Sequence, residues 1–350
     1  MNTNRRLAVA ALAAAGLLWG TTVPLSKLAL EWLPTGWLAA TRFSLAAAVL
    51  LAVVRGTRPG LRSAGGPRSA WSVKVLASGA IGYGGSVIVQ NAGIARTSVT
   101  HAALLIGAVP VMVAVVAALW QHTVARPVAW AGFAISLAGV GLVTAGGGGG
   151  GSTLAGDGLV LASLLLSAVF TVGQARLLRD RDPVAVTAVE FLGAALGALA
   201  FSAATEGGPV APTSAGPVLA VVALAAGGTL LPYTLFAYGQ SRVSAEIAGA
   251  FLNLEPMVGA AAGAVIFGDP MGPAQVTGGV AILAGIGLSS LPLVAGSRGR
   301  PPRVEAGRAR PWSAAVWLRR CGLAPVTAEG IVDGPVSREL LLADRQAGPQ

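Results

Sequence analysis

Few residues of this chain can bind or move a polar ligand, and those that can stand inside long apolar runs. "AFLNLEPMVGAAAG", Ala250 to Gly263, sets Glu255 in such a run, beside a proline and upstream of two glycines. On a helix Gly259 and Gly263 follow four and eight residues on, so the carboxyl shares its face with a small-residue track that admits another backbone. The acid therefore points toward protein, and at that depth it must be paired, protonated or beside water. Pro256 has no N–H, which frees the carbonyl of Leu252 for a ligand or a water. Such a group can carry a proton or hold a cation. The plainer reading is a protonated packing residue; the expense of ionisable groups inside a membrane favours function.

Glu190 is placed in the same way, with Gly193 and Gly197 on its face. Arg42 shares a face with Ala39 and Ala46, and for it ligand binding and structural pairing weigh equally. The first apolar run carries Gly16, Trp19, Gly20, Val23 and Lys27 on one stripe, either a cavity wall with an aromatic contact or close packing with an interfacial lysine. Gln90, Asn91, Gln174, Tyr233, Tyr238 and Asn253 are candidate cavity hydrogen-bonders, and Pro110 and Pro256 mark hinges or kinks. His101 reads as a polar packing group near a helix end, with proton relay the lesser view.

What must position these groups is a membrane. The chain has 350 residues, 54% of them apolar and 11% charged, with a mean hydropathy of +0.71. A bilayer core about 30 Å thick needs about 20 apolar residues per helix. Ten stretches qualify, near 7–26, 36–54, 73–94, 99–119, 128–145, 157–177, 184–204, 216–238, 244–267 and 274–294. The first is long enough to span and has no convincing cleavage site, which disfavours a signal peptide. The net charge of +10 orients the chain instead of recruiting nucleic acid. If the spans alternate, Arg5, Arg6, Arg55, Arg126, Arg176 and Arg242 share one side, and only Lys27 and Arg96 fall on the other. The positive-inside rule then puts both termini in the cytoplasm, with the protein multi-pass in the cell (inner) membrane. A single cysteine, Cys321, excludes a disulfide framework and a CxxC site; Trp32, Trp37, Trp71, Trp120 and Trp130 read as belt anchors.

The sequence also repeats itself. Ala92 to Leu119 lies without gaps over Tyr238 to Val265 at an offset of 146, pairing Gly93 with Gly239 and Pro110 with Pro256. Upstream the offset is 149, matching Pro34 with Pro183. Each copy holds five spans, an odd number, so the second enters the membrane from the opposite side. Inverted repeats that alternately open a shared midplane site are a construction of secondary transporters. The expected organisation is residues 1–145 as the first repeat, 146–156 as a Gly-rich linker, 157–295 as the second repeat and 296–350 as a basic, disordered cytoplasmic tail.

"GLLWGTTVPLSKLAL", "LAATRFSLAAAVLL", "TSVTHAALLIGAVPVMVAVVAAL" and "AEIAGAFLNLEPMVGAAAGAVIFGD" resemble the EamA-like branch of the drug/metabolite transporter superfamily over about residues 5–294. The resemblance implies an all-α carrier of ten transmembrane helices in two inverted five-helix repeats. Its central cavity is lined by the first four helices of each repeat, with the fifth more peripheral. Where the family commonly ends the fourth helix of each repeat with Gly-Glu, this chain has Gln121 and His122 in the first copy and Gly268 and Asp269 in the second.

The function expected is a secondary-active permease, an exporter or exchanger of a metabolite, amino-acid-like compound or drug, driven by a proton or other ion and needing no metal or cofactor. Its other partners are the lipid bilayer and, as an open matter, a second copy of the chain. The competing reading is an integral-membrane enzyme on a lipid-linked phosphate, for which Asp180 and Asp182 would hold a divalent cation. A solvated charged turn explains that pair better.

Overall fold

The computed structural model describes residues 3–57, 70–121, 127–145, 151–177, 181, 183–212, 214–240, 251 and 254–296. Asn253, His122, Asp180, Asp182, residues 146–150 of the glycine linker and the tail beyond Gly296 lie outside the described residues. The chain divides into units at 1–301 and 302–350, and all that follows concerns the first.

Helices occupy every stretch that the hydropathy pattern marks. In the first half they are α1 (Thr3–Gly20) with α2 (Thr22–Ala29), α3 (Thr35–Thr57), α4 (Val73–Gly79) running through a π segment (Ala80–Gly85) into α5 (Ser86–Ala95), α6 (Val99–Ile106) with α7 (Val109–Gln121), and α8 (Pro127–Ala145). In the second half they are α9 (Leu154–Leu177), α10 (Pro183–Thr205), α11 (Ala215–Ala225) running through a π segment (Ala226–Leu230) into α12 (Leu231–Gln240), α13 (Leu254–Ile266) and α14 (Pro273–Gly296). Among the described residues, five helices are long and apolar enough to cross a bilayer unaided, and α6 with α7, bent by 41°, makes a sixth.

Local chemistry sets the ends. Pro127, Pro183 and Pro273 each open a helix at the position where a missing N–H costs nothing. Ser98 accepts from the His101 N–H at 3.1 Å to cap α6. Glu206, beyond α10, reaches across to accept from the N–H groups of Gly36 and Trp37 at 2.9 and 3.1 Å, which caps α3. The bend between α6 and α7 falls at Gly107 and Ala108, just before Pro110, which cannot donate to the Ile106 carbonyl.

The two halves interlace. Gly239 of α12 closes on Ala8 and Leu12 of α1, while Gly93 of α5 closes on Gly156 and Val160 of α9. The third span of each half thus packs on the first span of the other, through glycines that the 146-residue offset pairs. The second spans meet face to face, with Phe43 and Ala46 of α3 in one core with Phe191 and Ala194 of α10. The fifth spans also meet, through Gly139 of α8 and Gly278 of α14; a Cβ on Gly139 would stand 2.6 Å from the Gly278 carbonyl. Such approaches are how helices associate where lipid supplies no hydrophobic drive.

Candidate functional site

Where the interlaced spans part, they leave a cavity of about 410 Å³. Its wall is drawn from both halves, through α1, α2, α3, α5, the first π segment, α9, α12, α13 and the bend between α6 and α7. Among the described residues, the fifth spans contribute nothing to it.

Glu255 lies on this wall beside Pro256, one residue into α13. The glycines that follow it pack as their spacing predicts. A Cβ on Gly259 would stand 2.6 Å from Ala103, and one on Gly263 would stand 2.4 Å from the Thr100 hydroxyl. On the opposing helix Gly16 and Gly20 of α1 take Leu254 and Val258, so the stripe seen in the first run divides: its glycines pack while Trp19 and Val23 face the cavity. Glu255 has no hydrogen bond and no ion pair with any described residue; Arg42 attracts it across the cavity.

Arg42 reaches the wall from α3. Its Nε donates to Thr229 Oγ1 at 2.5 Å and its Nη2 to the Gly228 carbonyl at 3.2 Å, both on the second π segment. Five aromatic rings, of Trp19, Tyr83, Phe170, Tyr233 and Phe236, share the remaining wall with aliphatic and hydroxyl side chains. Tyr233 meets Trp19 edge-on at 5.3 Å between ring centroids, and Tyr83 meets Phe170 at 4.7 Å and Tyr233 at 6.3 Å. Gln90 and Gln174 add hydrogen-bonding groups. One carboxyl, one guanidinium and a set of rings can hold a small amphipathic solute carrying charge.

Glu190 stands one layer behind. It is fully buried, accepts from Gln174 Nε2 at 2.7 Å and from Ser78 Oγ at 3.2 Å, and reaches the cavity only through Gln174. Two other expected cavity groups do not reach it. Asn91 donates to the Thr35 carbonyl at 3.0 Å, tying α5 to the start of α3. Lys27 donates to the carbonyls of Ile94 and Thr97 at 2.8 Å, closing the end of α5.

Tyr83, Phe170 and Phe236 line the cavity without any signal in their immediate sequence. Tyr83 sits within "SGAIGYGGS", whose glycines read as packing. The clue is the offset of 146, which lays Ala80–Gly85 over the other π segment. The acidic Asp269 also finds a role: its carboxylate accepts from the Thr100 N–H at 2.7 Å, just after Gly268 turns the chain at φ 66°. It caps the fourth span of the other repeat.

A family model described as the EamA-like transporter family matches residues 6–145 and again residues 154–291. No curated protein matches the chain. Among solved structures, a chain described only as "Crystal structure of protein" is 21% identical with a TM-score of 0.59, over 83% of this chain and 98% of that one. At that identity the likeness bears on the fold alone.

Proposed function

The chain belongs to the EamA-like transporter family, and from that premise we propose that it is a secondary-active carrier that passes a small organic solute through the shared cavity by alternating access. It is a multi-pass membrane protein of the drug/metabolite transporter type, whose members are transporters and not enzymes. The observation that carries the proposal is Glu255: a carboxyl on a cavity wall, without a hydrogen-bond or ion-pair partner among the described residues, and attracted by the guanidinium of Arg42 on the same wall. A carboxyl with no partner among the described residues is available to a proton or to the cationic part of a substrate. Arg42 is the matching site for an anionic part, and Trp19, Tyr83 and Tyr233 take the apolar body. A metabolite or amino-acid-like compound with both charges satisfies this wall.

The interlaced repeats support alternating access, because the same contacts exist in two mirrored settings that can open in turn. Both termini lie in the cytoplasm on this reading, which agrees with the distribution of arginines along the chain; it further takes the protein to export or exchange its solute across the cell membrane with an ion gradient as the drive. The experiment starts from untargeted comparison of solutes inside and outside cells with and without the protein. The solute it identifies is then offered to proteoliposomes. Accumulation without chemical change, driven by an imposed pH gradient, is expected. Metal-dependent conversion of the solute by the purified protein would replace this reading with the enzyme.

A further inference from the structure

At the end of the bundle where α2 and α5 end and α9 and α14 begin, a second polar group is buried. Asp157, His101 and Gln275 are exposed by only 2%, 2% and 5%. His101 Nδ1 lies 3.1 Å from Asp157 Oδ2, Gln275 Nε2 lies 3.0 Å from His101 Nε2, and Thr97 donates to Asp157 Oδ1 at 2.5 Å. With Nδ1–H donating to the carboxylate and Nε2 accepting from the amide, every partner has its complement. None of the three lines the cavity, so substrate binding does not explain them.

Their placement does more than pack. Asp157 belongs to α9, His101 to α6 and Gln275 to α14, so the chain of contacts joins the first, fourth and fifth spans of different repeats. Lys27 extends it to the first span of the chain by holding the Thr97 carbonyl. In a low-dielectric interior a satisfied polar chain of this kind holds its helices in one arrangement, and separating them requires water to reach every member.

The repeat supplies the second argument. Interlaced copies ought to be fastened alike at both ends. By the offsets of 146 and 149, the positions matching His101, Gln275 and Asp157 are Ile247, Ala129 and Ala8. None of these side chains can make a hydrogen bond. The polar fastening therefore has no sequence counterpart at the other end of the bundle.

We propose that Asp157, His101 and Gln275 are positioning residues for transport: a latch that holds their end of the bundle closed and that each transport cycle must undo. The proposal rests on alternating access as read above. It makes the two access states unequal, with the state closed at the latch favoured at rest.

Side-specific labelling tests it. In a Cys321→Ser background, Ser26→Cys places a probe on the cavity wall near the latch. Thr171→Cys places another on the wall about 21 Å farther along α9 from Asp157, at 1.5 Å per residue. Membrane-impermeant thiol reagent is applied to vesicles of both orientations. Losing a hydrogen bond to a charged group shifts such an equilibrium about tenfold. His101→Ala and Asp157→Ala should each raise labelling at position 26 by that order and lower it at position 171. Asp157→Asn, which keeps the size and the contact with Thr97 but offers His101 no carboxylate, should fall between and serves if the alanine variants fail to insert. Unchanged labelling in the asparagine variant, or labelling that rises equally at both probes, overturns the latch. If the parent protein labels from one side only under all conditions, alternating access itself fails, and the latch with it.

Discussion

The two π segments occupy the same place in each repeat, Ala80–Gly85 and Ala226–Leu230, yet they meet opposite charges. The second is gripped by Arg42, which donates to Thr229 and Gly228 from α3. The first lies against α10, whose Glu190 accepts from Ser78 just ahead of the segment and contacts Tyr83 within it only through Gln174. Arg42 and Glu190 themselves lie one residue apart in the repeat register. The backbone is thus duplicated and the charge is not. A π turn widens the helix and misaligns its hydrogen bonds, a device common at functional sites, and here both occur where the third span of a repeat faces the other half. Duplicated geometry provides two openings; unequal side chains make them differ in energy.

The largest effect expected from disturbing this arrangement is steric. A Cβ on Gly79 would stand 2.0 Å from the Glu190 carbonyl, and one on Gly193 would stand 2.1 Å from the Leu76 carbonyl. Gly79→Leu and Gly193→Leu should lose most of the folded protein, since overpacking of this kind costs about 1–3 kcal/mol or more. Gly158→Ala, with open space around it, should leave the melting temperature in detergent unchanged. Equal stability of all three variants would mean that α10 and α4, the helix that leads into the first π segment, do not touch.

Next in size is Arg42→Ala. It removes two charge-assisted hydrogen bonds from the second π segment, each worth about 1.5–3 kcal/mol. Hydrogen exchange should quicken over 226–230 while 80–85 stays slow, and substrate affinity should fall. Glu190→Gln should do less, because the amide oxygen can still accept from Ser78; a change in exchange of about 1 kcal/mol or below is expected over 80–85. If Glu190→Gln matches Arg42→Ala in size, the two segments are held alike and the asymmetry is not in their partners. Smallest is Tyr83→Phe, which keeps the ring contacts and loses a 3.5 Å contact with Gln174 and a hydroxyl contact with Tyr233. Its flux should stay within about fivefold of the parent, because neutral hydrogen bonds of this kind contribute about 1 kcal/mol.

Much of the architecture can be read without coordinates because bilayer thickness and helix period constrain it directly. The helical stretches, the repeat and the packing of Gly259 and Gly263 follow from composition and spacing. Pairings between distant helices do not. Asn91 reads as a cavity group because it is polar in an apolar run, yet its amide serves the carbonyl of Thr35, 56 positions away. Asp157 draws no attention in the sequence, and only the fold brings His101 to it and Gln275 to His101. The same holds for Arg42, whose partners lie on the other repeat. The offset of 146 would have flagged both π segments together, since glycine-rich Ala80–Gly85 falls on glycine-rich Ala226–Leu230.

Glu255 is proposed as the ionisable group on which transport turns. The decisive measurement is pH-gradient-driven flux in proteoliposomes carrying the parent protein, Glu255→Gln or Glu255→Asp, with insertion checked for each. Glutamine keeps the size and hydrogen-bonding reach but cannot ionise, so it should insert normally, lose gradient-driven flux and retain substrate binding or exchange. Aspartate should keep partial flux with a shifted pH profile. A packing role demands the reverse order, because glutamine mimics a protonated glutamate and aspartate leaves a gap. Glutamine flux equal to the parent's, with the parent's pH dependence, would contradict the account.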